Sequence, residues 1–302
     1  MKSWGSISEY LENKIIDHVF RNTPISSGSN IWVALYTSNP TSADVGTEVS
    51  SGSGYTRAYV SLKGSAAYPW TVASSEGYST ATNSGSITFP TPTGDWGTVT
   101  HWGLRDAATG GNLYFSGQLS TGSGVIRSGN DVYILSNHIL IYVFQEYVTY
   151  LYNGMLNHLL NNVNFSSPGS SVYGALFYPN NTVIYVPNSQ IVTVSLGTEI
   201  SGSGYSRPQM NNWSSPVSGS SHNISGSPIF CSNATSNWNI FPIMVGLMDS
   251  PTSGCGNMLY SFNIYSYTSR TIGIYDKVIV NEGEVEIALN NSEHSHGGNI
   301  GI

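Results

Sequence analysis

Charged residues are scarce in this chain. Of its 302 residues, 10 are Lys or Arg and 17 are Asp or Glu, so only 9% are charged and the formal net charge is −7. Ordinary soluble domains carry roughly 25%. Copies with so little charge repel one another weakly, which favours a permanently assembled subunit over a freely diffusing enzyme. The small acidic excess, with no run of Lys or Arg, also predicts no nucleic-acid partner.

Long apolar runs and cysteines are few as well. No stretch approaches the roughly 20 apolar residues that cross a bilayer, so we expect no membrane insertion. Glu9 and Glu12 interrupt the first helical pattern, which is unlike the apolar centre of a signal peptide. Cys231 and Cys255 both lie in the second half, and the sequence leaves open whether they pair or stay as thiols. Neither fits a metal-binding spacing, and we expect no metal and no cofactor.

A repeated peptide is the most informative feature that is present. Residues 46–57 read GTEVSSGSGYTR, and residues 197–207 read GTEISGSGYSR. The same order of matches continues outside this peptide: residues 10–20 match 150–160, 31–36 match 172–177, and 103–106 match 246–249. The spacing between matched residues drifts along the chain, as expected where loops gain and lose residues. Each copy is the size of a domain, far longer than the roughly 20–50 residues of a solenoid repeat.

These matches predict the domain organisation. Residues 1–145 form a first repeat, residues 146–290 form a second, diverged repeat, and the polar, Gly-rich residues 291–302 form a flexible tail.

One helix starts each copy. Ile7, Leu11, Ile15 and Val19 recur at intervals of four, which predicts an amphipathic helix. The sequence from Ser6 to Glu9 has the form of a capping box, with Ser6 as the expected N-cap.

Short β runs follow the helix in each copy. They are rich in Val, Ile, Thr, Trp and Tyr and are separated by Gly, Ser, Asn and Asp. The expected strands are residues 31–36, 55–62, 85–89, 98–104, 112–115, 133–144, 271–275 and 284–289. The sequence therefore predicts a mainly β fold: two tandem antiparallel β-sandwich domains, jelly-roll or Ig-like, each preceded by a short α-helix.

The repeated peptide carries one acid and one base. Glu48 and Arg57 in the first copy correspond to Glu199 and Arg207 in the second. A binding pocket would explain such pairs, but an ion pair across a Gly-rich turn explains them better, because the turn glycines supply positive φ angles. Asp106 and Asp249 are also repeated, and each begins a turn rich in small residues, so we expect both to shape turns.

The histidines are weaker candidates. His18 and His158 occupy equivalent helix positions, where a favourable interaction with the helix dipole is expected. His101 has no counterpart in the second copy, which disfavours a shared site. His294 and His296 form a His-x-His in the tail that we interpret as solvated.

No catalytic constellation stands out. A glycosidase needs two carboxylates about 5–10 Å apart, but the repeated acids already have turn-shaping explanations. The sequence contains no phosphate loop, no Ser-His-Asp order and no Cys/His cluster. We therefore predict no catalytic residues and no enzyme. The 20 Tyr and 7 Trp are divided between the core and faces that contact subunits or sugars, in proportions that the sequence does not determine.

Several of these motifs resemble a family of tailed-bacteriophage virion proteins, commonly labelled tail-fibre or minor structural proteins. The resemblance is carried by Tyr-Leu-x-Asn at residues 10–13, ALYTSNP at 34–40, the repeated peptide, GDWGTVTHWGL at 94–104 and DAATGGNL at 106–113. It covers most of residues 6–144, and the second copy is more divergent. It implies a non-enzymatic building block of the particle.

The leading functional prediction is a structural protein assembled by subunit contacts on a phage tail or its fibres. Its expected partners are other virion proteins and further copies of itself, and its expected location is the virion, assembled in the host cytoplasm. The alternatives are a capsid decoration or cement protein on the head, and a receptor or glycan-binding module that uses exposed aromatic residues.

Overall fold

The architecture comes from a computed structural model. It describes residues 3–25, 30–62, 70–75, 78–119, 124–144, 149–168, 171–178, 197–202, 204–222, 224, 226–238, 244–263, 272–289 and 300–301.

The described residues of the first repeat form one α-helix, one short 3₁₀-helix and twelve strands. The helices are α1 (Glu9–Phe20) and the 3₁₀-helix Ser51–Ser53. The strands are β1 (Ser3–Ile7), β2 (Asn30–Tyr36), β3 (Ala58–Leu62), β4 (Trp70–Ser75), β5 (Tyr78–Asn83), β6 (Ile87–Thr88), β7 (Gly97–Val99), β8 (His101–Arg105), β9 (Leu113–Gln118), β10 (Gly124–Ile126), β11 (Tyr133–Ile134) and β12 (Ile139–Phe144).

In the described part of the second repeat the same order recurs, with fewer and mostly shorter strands. Its helix is α2 (Thr149–Leu160). Its strands are β13 (Tyr173–Tyr178), β14 (Thr198–Glu199), β15 (Ser220–His222), β16 (Ile229–Cys231), β17 (Met244–Met248), β18 (Met258–Asn263), β19 (Val278–Val280), β20 (Glu286–Ala288) and β21 (Ile300–Gly301).

The start of α1 differs from the prediction. Ser6 lies in β1, and the amide of Leu11 donates to Ser8 Oγ at 3.2 Å, so Ser8 is the N-cap and the expectation for Ser6 was wrong. The shift has a physical reason, because residues 5–7 pair with β9 and are already committed to a sheet. The predicted apolar stripe is confirmed, with Ile7, Leu11, Ile15 and Val19 all buried.

Both helices end in the same way. Asn22 and Asn162 adopt positive φ angles of 53° and 57°. One residue further on, the amide of Thr23 donates to the carbonyl of Asp17 at 2.9 Å, and Val163 repeats this bond at 3.1 Å to Asn157. Each bond closes a seven-residue loop, one residue longer than that of a Schellman motif, and Asn tolerates the left-handed position before the donor.

An eight-stranded sheet forms the centre of the first repeat. Its order is β3-β2-β8-β9-β1-β12-β5-β4, and all neighbours are antiparallel except β1 and β12. Small sheets of β7 with β10 and of β6 with β11 accompany it. The pairing of β2 with β8 and of β8 with β9 brings the ends of these strands, and the loop between β8 and β9, next to the repeated peptide.

The second repeat retains these strand pairings, but they are divided among separate small sheets. The order β13-β17-β18 corresponds to β2-β8-β9 of the first repeat, and β14 corresponds to the bridge between Tyr36 and Glu48. Strand β16 pairs with β19 as β6 pairs with β11. Likewise β15 pairs with β20 as β5 pairs with β12. The predicted mainly β fold, with two tandem antiparallel repeats that each follow a helix, is confirmed. The choice between jelly-roll and Ig-like connections stays a prediction.

The compact units do not simply follow the repeats. One unit comprises Met1–Glu12, Ser26–Phe144 and Tyr152–Phe165, and the other comprises Asn13–Ile25, Gln145–Leu151 and Ser166–Ile302. Each unit therefore contains the C-terminal part of the helix that begins the other repeat. The predicted boundary near residue 146 is a boundary in sequence, and it stays a prediction for the folded domains.

Two of the sequence-based predictions concern the C-terminal part of the chain, residues 271–275 and the tail. Residues 271–275 were predicted as a strand, but Tyr275 has a φ of 76° and the amide of Gly273 bonds Asp276 Oδ2 at 2.6 Å, so the described part is a turn and the prediction was wrong. Ile300, within the predicted tail, pairs with Val280 of β19. Residues 290–299 lie outside the described residues.

Candidate functional site

The repeated peptide of the first repeat builds a compact charged cluster. Arg57 Nε donates to Glu48 Oε1 at 2.8 Å and its Nη2 donates to Oε2 at 2.7 Å, a bidentate ion pair. Tyr55 Oη donates to the same Oε1 at 3.0 Å and accepts the amide of Leu35 in β2 at 2.9 Å. The Arg57 side chain is only 6% exposed. The cluster therefore fastens the peptide to the end of β2.

The remaining nitrogen of Arg57 reaches the loop between β8 and β9. Its Nη1 donates to the carbonyls of Ala107 at 2.6 Å and Gly110 at 2.7 Å. Asp106 closes the same loop, accepting the amide of Asn112 at 2.6 Å on Oδ1 and its Nδ2 at 2.7 Å on Oδ2. One guanidinium thus joins two segments that are about fifty residues apart in sequence.

The second repeat builds the same cluster. Arg207 bonds both oxygens of Glu199 at 2.7 Å, and Tyr205 Oη donates to Oε1 at 2.9 Å. Arg207 Nη1 donates to the carbonyls of Ser250 at 2.6 Å and Cys255 at 3.0 Å, in the loop between β17 and β18. The pair is more deeply buried here, with side chains 1% and 8% exposed.

Asp249 repeats the role of Asp106 in that loop. It accepts the amide of Asn257 at 2.6 Å and its Nδ2 at 2.9 Å. Glycine is required beside both aspartates: a Cβ on Gly111 would lie 2.4 Å from Asp106 Oδ1, and one on Gly256 would lie 2.5 Å from Asp249 Oδ1. Both glycines also have positive φ, of 66° and 80°.

The electrostatics of the two pairs favour the charged forms. Burial raises the pKa of Glu48, but hydrogen bonds and charge from Arg57 outweigh it, so the pKa falls below its ordinary value. The pKa of Glu199 falls for the same reason, with Arg207 as the largest opposing influence. Burial raises the pKa of Tyr55 and of Tyr205, so both phenols stay protonated as donors.

One buried network differs between the repeats. In the first, Arg105 Nε donates to Tyr36 Oη at 2.7 Å, and its Nη2 pairs with Asp44. In the second, the equivalent residues are Met248 and Phe177, which pack together in an apolar cluster. Both partners have changed together, which avoids leaving a buried polar group without a partner.

Aromatic packing behind the cluster is repeated too. Tyr55 meets Trp96 edge to face with ring centroids 5.2 Å apart, and Tyr205 meets Trp238 at 6.2 Å. Sequence reasoning singled out Glu48 and Arg57 but missed Tyr55 and Tyr205. The signal was present, because a spacing of two in an extended segment places Tyr55 and Arg57 on the same side.

The histidines lie apart from this cluster. His18 Nδ1 accepts the amide of Ile25 at 3.1 Å, and His158 Nδ1 accepts the amide of Phe165 at 3.3 Å, so each ties the chain leaving its helix back to that helix. His101 Nδ1 lies 2.8 Å from Thr100 Oγ1, and partial burial lowers the pKa of His101. His294 and His296 lie outside the described residues.

In the described parts of the chain, no group of three or more His, Cys, Asp or Glu residues is arranged to hold a metal ion. Cys231 is buried, Cys255 is exposed, and no disulfide joins the two. None of the helices in these segments is long and apolar enough to span a membrane.

Fold and cluster together define a duplicated, mainly β protein in which each repeat is tied by one Glu–Tyr–Arg cluster. A family model described as Podophage GP4 fiber I protein gp80 matches residues 6–141 and 146–288, and the chain belongs to this family. The resemblance to tail-fibre proteins of tailed phages and the tandem duplication are thereby confirmed. A comparison with curated protein sequences gives no match.

Proposed function

We propose that this chain is a non-enzymatic structural subunit of a podophage tail fibre, joined to other virion proteins and to its own copies by subunit contacts. The carrying observation is that the fibre family matches both repeats over nearly the whole chain. We propose further that it is assembled into the particle in the host cytoplasm.

The paired clusters support a structural role. In both repeats the carboxylate of Glu48 or Glu199 is held by its arginine and tyrosine, and the arginine also binds loop carbonyls. A carboxylate so engaged stabilises a turn and is poorly placed to take a proton from a substrate. We therefore propose that Glu48, Arg57, Glu199, Arg207, Asp106 and Asp249 are turn-forming residues.

Exposed apolar side chains support assembly by contact. Val125, Tyr133 and Leu135 of the first repeat are between 48% and 57% exposed. Such side chains lose water favourably when a partner covers them. The scarcity of charge on the chain lowers the cost of bringing copies together.

Localisation tests the proposal directly. A tagged copy, or its deletion, imaged in intact particles by electron microscopy should show density on the tail fibres. Density over the capsid surface, in numbers matching the head lattice, would contradict the fibre role and favour a decoration or cement protein instead.

A groove in the first repeat favours a second candidate, glycan binding. It has a volume of about 460 Å³ and lies over the buried Trp102. Tyr133 and Leu135 offer exposed apolar faces along it, and Asp131 and His138 contribute polar groups. An exposed aromatic ring beside polar hydrogen-bonding groups is the combination that a pyranose ring requires, because its faces are apolar and its edge carries hydroxyls.

The two candidates predict different effects of one substitution. Tyr133→Ala should abolish binding to bacterial surface polysaccharides on a glycan array if the groove binds sugar, while particle assembly proceeds. Loss of the subunit from particles without any glycan binding by the parent protein would favour subunit contact. Tyr150→Ala, which changes an exposed tyrosine outside the groove, is the matched control.

A further inference from the structure

Each of the two compact units includes part of a helix that belongs, by sequence, to the other repeat. Residues 13–25, which contain the second half of α1, belong to the unit built from the second repeat. Residues 152–165, which contain most of α2, belong to the unit built from the first repeat. Each helix therefore begins in one unit and ends in the other.

The end of α1 is fastened within the second-repeat unit. Arg21 Nε donates to the carbonyl of Trp213 at 3.3 Å, and its Nη2 donates to Ser215 Oγ at 3.2 Å. The Phe20 ring lies 5.7 Å from the Trp213 ring, and Phe20 is fully buried. Two turns earlier, Asn13 Oδ1 accepts the amide of Gly219 at 2.8 Å.

The end of α2 is fastened in the same way within the first-repeat unit. Asn161 Nδ2 donates to the carbonyl of Trp70 at 2.9 Å, and its Oδ1 accepts the Trp70 amide at 3.0 Å. Leu160, just before it, is 1% exposed.

One of these contacts is equivalent in the two repeats. Arg21 and Asn161 each follow the last helical residue, and Trp70 and Trp213 occupy matching places before β5 and β15. The side chains have diverged from Arg to Asn, yet each donates to a tryptophan carbonyl. The two repeats therefore hold the helix end of the other repeat at the same place, with different donors.

We infer that the repeats exchange helix ends within one chain, and that each strand assembly is completed only by the helix end of the other repeat. We name the receiving position the helix-end seat: Trp70 in the first repeat, and Trp213, Ser215 and Gly219 in the second. Its occupant is the C-terminal end of α2 or of α1, respectively, so neither repeat is an independent folding unit. The exchange goes beyond the proposed fibre role and does not depend on it.

Hydrogen exchange on the full chain tests the inference. Phe20→Ala changes a residue of the first repeat, yet it should speed amide exchange across residues 210–222 of the second by about tenfold or more. Strands β8 and β9 of the first repeat should change less than about twofold. Arg21→Ala is a milder version if Phe20→Ala does not fold. In the reciprocal direction, Asn161→Ala should speed exchange across β4 of the first repeat.

Tyr10→Ala is the matched control on the same helix. Tyr10 lies in the first half of α1 and stacks on Tyr114 of β9 at 6.3 Å, so its loss should affect β9 and spare residues 210–222. If Phe20→Ala acts on the first-repeat strands instead, the inference is overturned. A dimer in sedimentation that Phe20→Ala dissociates into monomers would show exchange between two copies and overturn the assignment to one chain.

Discussion

Arg207 and Arg57 form equivalent ion pairs that differ in their exposure to water. Arg207 and Glu199 are 1% and 8% exposed, whereas Arg57 and Glu48 are 6% and 25% exposed. Removal of one partner from a buried pair leaves an uncompensated charge, and the penalty grows with burial. The two repeats therefore provide an internal comparison at single residues.

We predict that Arg207→Ala lowers the free energy of unfolding by about 3–5 kcal/mol, and that Arg57→Ala lowers it by less because water reaches Glu48. Urea denaturation at pH 7 measures both. Lys14→Ala is the control: its ion pair with Asp17 is 3.9 Å long and partly exposed, so its loss should change the free energy by less than about 0.5 kcal/mol. Equal losses of stability in all three variants would contradict a stabilising role for the two Arg–Glu pairs.

Glu12 gives a pH-dependent prediction. Burial, assisted by the charge of Glu9, raises its pKa from 4.5 to about 7. A raised carboxyl pKa means that the folded state holds the proton more tightly, so stability falls as pH rises from 4.5 through about 7. Glu12→Gln should remove this fall and raise stability at pH 8 by on the order of 1–2 kcal/mol. If the melting temperatures of the parent protein and of Glu12→Gln change in parallel from pH 4 to 8, the predicted effect of Glu12 is contradicted.

At the scale of elements, the loop between β8 and β9 depends on two adjacent glycines with different surroundings. Gly110 and Gly111 both have positive φ, but a Cβ on Gly110 meets open space, whereas one on Gly111 would lie 2.4 Å from Asp106 Oδ1 and 2.6 Å from the Ala107 Cβ. The difference between their alanine variants therefore separates these close approaches from the backbone strain.

We expect Gly110→Ala to cost about 1 kcal/mol of stability, the usual penalty for a left-handed alanine. Gly111→Ala should cost at least about 1 kcal/mol more, because Asp106 must leave the Asn112 amide or the loop must shift. Chemical denaturation measures both variants. An equal loss of unfolding free energy in the two variants would show that the side chains close to Gly111 move aside at no measurable cost.

The elements also show what the sequence predicts and where it fails. Strand β2 was predicted because consecutive apolar residues between turn signals mark a buried strand. Strand β5 was missed because its inward residues are Ser79, Ala81 and Asn83, so its alternating burial has no apolar signature. At the site, the Glu–Arg spacing predicted the ion pair, but the loop carbonyls that Arg57 binds carry no sequence signal.

At the scale of the whole molecule, the inferred exchange of helix ends determines how the chain should unfold. If each unit needs a helix end from the other repeat, neither melts alone. Calorimetry of the full chain should show one transition whose calorimetric and van't Hoff enthalpies agree. Two separable transitions, with one abolished by Arg207→Ala, would indicate independent repeats and contradict the exchange.

The depth of the Arg–Glu pairs bears on the medium in which a particle can survive. Mobile ions screen exposed charges over about 8 Å at physiological ionic strength, but they screen buried pairs far less. The chain has few charges, and its Arg207–Glu199 pair is nearly inaccessible to water. We therefore expect the stability of the fold to change little with ionic strength.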